Sequence, residues 1–125
     1  MSISNYLEDE LLDHIFRGAA YSVPSGIYAK LHIGDPGEAG TSNAATEATR
    51  QQITFGSNAA SGAISNTAAI TWTNVSTSET VSHLSLWDAS TAGNCLWSGQ
   101  LTSPKVLTAG DTLTIAIGDL DITLD

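Results

Sequence analysis

The hydrophobic pattern of this chain changes its period near residue 26. From Asn5 to Arg17, Leu7, Leu11 and Ile15 recur every four residues, and Leu12 with Phe16 widens the stripe. Glu8, Asp9 and Asp13 hold the other side. That spacing predicts an amphipathic helix. Asn5 fits the N-cap, with Glu8 three residues on as in a capping box. Glu8, Asp9 and Glu10 sit where the helix dipole favours acids, and Arg17 with Gly18 forms the expected C-terminal pair. After a turn at Pro24-Ser25-Gly26, the period drops to two. Ile27, Ala29, Leu31 and Ile33 alternate with Tyr28, Lys30 and His32, as in a strand with one buried face. Gly34-Asp35-Pro36-Gly37 stops that strand.

Everything downstream reads as short strands separated by turn residues. They are expected at Gln51–Phe55, Ala63–Ser65, Ala68–Trp72, Thr80–Asp88 and Cys95–Leu101. In Thr80–Asp88, Leu84 and Leu86 face one way, while Val81, His83, Ser85 and Trp87 face the other. A strand apolar at both Leu86 and Trp87 is expected to be central and covered on two sides. Ser90–Asn94 reads as a hairpin loop, Thr102-Ser103-Pro104 as a turn, and Ala109-Gly110-Asp111 as a second hairpin turn. Leu113, Ile115 and Ile117 have odd numbers, whereas Leu120, Ile122 and Leu124 have even ones, so Gly118-Asp119 inserts a phase shift. This series predicts a mainly β fold, an antiparallel β-sandwich of jelly-roll or Greek-key type, with one N-terminal amphipathic helix.

One domain spanning residues 1–125 is expected: a helical arm over 1–20, then a sandwich over 26–125 carrying a long loop, 34–50. The loop is longer than most connections in compact domains. Its apolar side chains are alanines apart from one proline, too small to hold it in a core. The helix stripe has two readings, packing on its own sheet or docking on a neighbouring subunit. With the loop, it nominates partner-interface residues Leu7, Leu11, Ile15, Asp35, Pro36, Glu38, Glu47 and Arg50. Deleting residues 38–48 is then expected to leave a folded domain that no longer joins its partner.

Composition narrows the function classes. Hydrophobic residues make up 42% of the 125, which is enough for a core, but charged residues only 14%. Thirteen acids against four bases (Arg17, Lys30, Arg50, Lys105) give a net charge of −9. Phosphate backbones would repel such a chain, so nucleic-acid binding is not expected. The N-terminus lacks a signal-peptide pattern, and the uncharged stretch 51–78 is too polar to span a membrane. Synthesis in a cytoplasm is expected. A lone Cys95 permits no intrachain disulfide and reads as a small buried apolar residue.

Catalytic signatures are missing. The chain has no Gly-x-Ser-x-Gly elbow, phosphate loop or His-Glu-x-x-His, and the three histidines have no short-spaced partner. Neither a cofactor nor a metal is expected, and the protein is read as non-enzymatic. Trp72, Trp87 and Trp97 could stack on sugars if exposed in a groove, or fill the core if not.

Several stretches taken in order resemble a known family. They are Asn5-Tyr6-Leu7-Glu8 through Leu11-Leu12-Asp13-His14-Ile15-Phe16-Arg17-Gly18, Ile27 through Gly37, Arg50-Gln51-Gln52-Ile53-Thr54-Phe55-Gly56, Ile64 through Trp72, Val81 through Ala89, and Ala109-Gly110-Asp111-Thr112-Leu113. The pattern is similar to that of small tailed-bacteriophage virion structural proteins, commonly labelled tail-fibre or minor structural proteins. The resemblance implies a place in the virion and partners among other virion subunits, either the major capsid protein or tail proteins. It also implies a homo-oligomer, often a trimer, and it supplies no site residues. A compact acidic domain without a shaft repeat leads us to expect capsid decoration, as a cement protein, first. A tail-associated fibre or knob, able to act as a carbohydrate-binding adsorption module, is the alternative.

Overall fold

The computed structural model describes residues 2–124; Met1 and Asp125, the ends of the expected arm and sandwich, lie outside them. The described chain runs β1 (Ser2–Ile3), α1 (Asn5–Leu12), a π-helical segment (Asp13–Arg17), β2 (Ile27–His32), β3 (Gln51–Ile53), β4 (Ala63–Ser65) and β5 (Ile70–Trp72). It continues with β6 (Glu79–Trp87), β7 (Cys95–Leu107), β8 (Leu113–Ile115) and β9 (Asp121–Thr123). Five strands form an antiparallel sheet in the order β1-β7-β6-β2-β3, while β4-β9 and β5-β8 form two separate ribbons. The fold is therefore mainly β and antiparallel with one N-terminal helix, as the periodicity implies.

The ribbons pack on one face of the large sheet. Cross-strand register pairs Ala29 with Leu86 and Leu31 with Leu84, and Leu86 in turn with Trp97. Residues directly opposite in an antiparallel pair share a face. These side chains meet Ile70 and Trp72 of β5 and Leu113 of β8 in one buried cluster. Ile70, Trp72, Leu31 and Leu86 are among its largest fully buried members, so the core is sandwich-like, with paired ribbons as its second layer. Asn66 locks the ribbon ends: its amide donates to the Ala68 and Ala116 carbonyls and accepts from the Leu120 N–H.

Strand β6 lies between β7 and β2 and is covered on both sides, as its double apolar pattern predicts. One residue departs from its expected face. Val81 belongs to the core cluster with Leu84 and Leu86, because a register shift between Val81 and His83 breaks the alternation. On β7 the same irregularity absorbs Leu101 to Pro104, since Val81 pairs with Lys105 and His83 with Gln100. The expected turn at Thr102-Ser103-Pro104 is thus a bulge inside one long strand, a position that tolerates proline's missing donor. Ala109-Gly110-Asp111 does turn the chain, Asp111 N–H bonding to Thr108, but it links different sheets and makes no hairpin. At the expected phase shift, Gly118 adopts a φ of 80° and Asp119 N–H closes on Ala116.

The other face of the sheet carries Tyr28, Lys30, His32, Ser85 and Trp87, and the 34–50 loop folds over it. Ala45 N–H bonds to the Leu31 carbonyl and Ile33 N–H to that of Asn43, so residues 43–45 extend the edge that β3 begins. Both carboxylate oxygens of Glu79 accept backbone N–H bonds, from Thr46 and Glu47. Gly40 has a φ of 67°, and a Cβ there would lie 2.5 Å from the Cys95 sulfur. Glycine is needed for this close approach. The expectation that small side chains leave the loop outside the core is therefore corrected: Ala45 and Pro36 are buried because small residues let the backbone come close.

Candidate interaction surface

The N-terminal arm attaches through Ser4 rather than through the expected cap Asn5. Ser4 has extended backbone angles, its hydroxyl accepts from Leu7 N–H and donates to the Cys95 carbonyl, and its own N–H bonds to Leu96. With Ile3 paired to Trp97, this makes β1 an edge strand leading straight into α1. The α-helical ladder loosens after Leu12 into the π-helical segment. Gly18 then ends the helix at a φ of 69°, its N–H on the Asp13 carbonyl.

The apolar stripe divides along the helix. Leu7 and Leu11 are half-buried on the body side, so the first half packs on its own domain. The second half faces solvent: Leu12 is 55% exposed, Ile15 67% and Phe16 79%, with Val23 of the following connector at 86%. Ile33, Val106, Ile117 and Leu124 are also exposed but are scattered over separate segments. Single exposed apolar residues are ordinary, whereas a contiguous apolar face marks an interaction site.

Of the residues nominated from sequence, Ile15 alone lies in this exposed group. Asp35 is at the loop tip with its carboxylate on the Gly37 N–H. Pro36 is fully buried, which removes it from any contact surface. Exposed Glu38 accepts from the Ser2 hydroxyl at 3.1 Å, tying the loop to the arm. Glu47 is half-buried and receives the Thr49 N–H. Arg50 is fastened inward: Nη1 donates to the Ala89 and Ala92 carbonyls, and its guanidinium lies 3.9 Å from the Trp87 ring centroid. Burial lowers its pKa, while Asp88 nearby favours the charge. The structure thus joins the helix start and the loop across a cleft of about 390 Å³ floored by Trp87 and Cys95. Pattern reading missed Phe16 and Leu12 as the outward residues, although their four-residue spacing was visible.

Inside the sheet, His32 and Ser85 make a hydroxyl–imidazole pair of the kind that nucleophilic sites use. Here both are shut away from solvent. His32 Nδ1–H donates to the Ser42 carbonyl, and the Ser85 hydroxyl also accepts the Trp87 indole N–H at 2.7 Å. Burial lowers the His32 pKa, and Lys30 and His83 push it the same way. Burial also pushes the Cys95 thiol up, away from the reactive thiolate. The three tryptophans are core residues, with Trp72 donating its indole N–H to the Thr49 carbonyl, so none offers an open stacking platform. Among the described residues there is no cluster of three potential metal ligands, and no helix long and apolar enough to cross a membrane.

The family model described as podophage GP4 fiber I protein gp80 matches residues 2–123. The chain belongs to this family. It is a structural component of a tailed-phage virion, as the resemblance implied. No curated protein matches the chain.

Proposed function

We propose that this protein is a tail-associated fibre component, held on the particle by the exposed face of its N-terminal helix. The observation that carries the attachment is Leu12, Ile15 and Phe16 standing exposed on one helix face while the domain's core is filled elsewhere. The fibre description of the family supports the tail position over the capsid decoration expected first. The role is structural: the domain binds virion subunits and carries out no reaction. A short helix gains most of its stability from packing, so a half-packed one is suited to being completed by a partner.

Phage carrying Ile15→Ser with Phe16→Ser should make a folded protein that is absent from purified virions, measured by quantitative mass spectrometry. Surface changes of this kind shift stability by about 0.5 kcal/mol or less, so lost incorporation would report docking and not unfolding. Cryo-EM of the wild-type particle should find the domain on the tail. Density confined to the capsid lattice would return the protein to the decoration reading.

A further inference from the structure

We infer that the partner gripping the exposed helix face presents an apolar centre with a basic rim, and that it is a different protein rather than a second copy. This rests on the attachment proposed above and adds the chemistry of what it meets. On an α-helix, residues four apart are surface neighbours. Within α1 Glu8 therefore adjoins Leu12, not the side opposite the stripe as the pattern suggested. Ile15 and Phe16 follow as exposed side chains in the π-helical segment, so the outward surface runs from acids in the first turns to apolar side chains in the last. Glu8 and Asp9 are both exposed, and among the described residues neither receives a cation: Arg17, the one arginine or lysine on the helix, is held by Asp13 at 2.7 Å. The other three bases are elsewhere. Arg50 and Lys30 lie over Trp87, and Lys105 follows the β7 bulge, paired with Val81.

A second copy docked in parallel would bring two such acidic rims together, and one docked antiparallel would set each rim beside an Arg17 that Asp13 already holds, in a chain already at −9. Like charges set against each other across an interface are strongly unfavourable, whereas opposite rims steer association and fix orientation. The homotypic contacts implied by the resemblance then use other faces of the domain.

The test is reconstitution onto virions lacking this protein, prepared from an amber mutant, with purified wild-type protein and variants. Glu8→Lys with Asp9→Lys should weaken binding on the order of tenfold or more, and Glu8→Gln with Asp9→Asn by less. Wild-type binding should weaken as salt rises and the Debye length shrinks. Circular dichroism confirms that each variant is folded. If both charge variants bind as wild type without salt dependence while Ile15→Ser with Phe16→Ser fails, the basic partner is refuted and the attachment face stands. If the apolar variant also binds normally, the attachment itself is refuted. Self-association of the purified protein that Phe16→Ser abolishes would overturn the inference in favour of a second copy.

Discussion

The imidazole Nε2 of His32 and the hydroxyl of Ser85 lie 2.7 Å apart between β2 and β6, with both residues at 0% exposure. The surrounding bonds fix the protons. A carbonyl can only accept, so Nδ1 carries the hydrogen given to Ser42, and Nε2 accepts from Ser85. Ser85 can give that hydrogen because its oxygen already accepts from the Trp87 indole. Three strand residues and the loop backbone thus share one chain of hydrogen bonds, which a neutral histidine completes.

Acid should loosen this chain before carboxylates titrate. The folded pKa of His32 lies below its usual 6.5, chiefly from burial. Below that pH the unfolded chain binds the proton more readily, so stability is full above about 6.5 and falls as pH drops towards the folded value. Tm should be flat from pH 8 to 7 and decline as pH falls below about 6.5, before the ordinary carboxylate range is reached. His32→Gln should abolish most of that slope even if it lowers Tm throughout. A slope unchanged in the variant would assign the effect to other groups.

Asn66→Ala should separate the ribbon ends. The substitution strands the Leu120 N–H and frees the Ala68 and Ala116 carbonyls. The buried Leu120 N–H left unpaired makes a cost of about 1–3 kcal/mol reasonable, since the two carbonyls are only part-buried. Urea denaturation would measure it, and amide exchange should quicken first at residues 116–120. A change under about 0.5 kcal/mol would mean that water replaces the amide.

How much of this was legible follows the size of the signal. Strand β2 and the centre of β6 were plain because large apolar residues alternate with polar ones. The phase change at Gly118 was equally plain from odd and even numbering. The Ser82 irregularity was not, since a bulge leaves no mark on composition yet returns Val81 to the core face. Asn5 and Ser4 are both good caps, and only the pairing of Ile3 with Trp97 selects the serine. The loop misled for a physical reason: glycine and alanine read as surface residues, but at Gly40 and Ala45 they permit close packing. On the candidate surface, periodicity gave the helix stripe but could not say which half the body would cover.

Arg50→Lys should not behave as a conservative change. The guanidinium stacks on Trp87 while one nitrogen serves two carbonyls of the 88–94 loop, and an ammonium cannot match that planar geometry. A loss of about 1–2 kcal/mol is expected, with altered Trp87 fluorescence. Virion incorporation should persist at temperatures where the variant is folded, because Arg50 faces inward. Lost incorporation with unchanged stability would instead restore Arg50 as a contact residue.

Removing residues 38–48 distinguishes a docking loop from a structural cover. Were the loop only an interface, the shortened domain would keep its Tm and merely fail to join particles. The structure predicts otherwise. Deletion takes away the Ser42 carbonyl that holds His32, the Asn43 and Ala45 pairings to β2, and the Gly40 backbone lying against Cys95. It also leaves both oxygens of Glu79 without their N–H partners. Several buried groups losing partners together should lower stability by at least about 3 kcal/mol. Thermal denaturation of the purified variant checks this, with Cys95 reactivity towards a thiol reagent as a second readout. A shortened protein with wild-type Tm and a still-protected Cys95 would show that the sheet needs no cover on this face, and would return the loop to the list of contact surfaces.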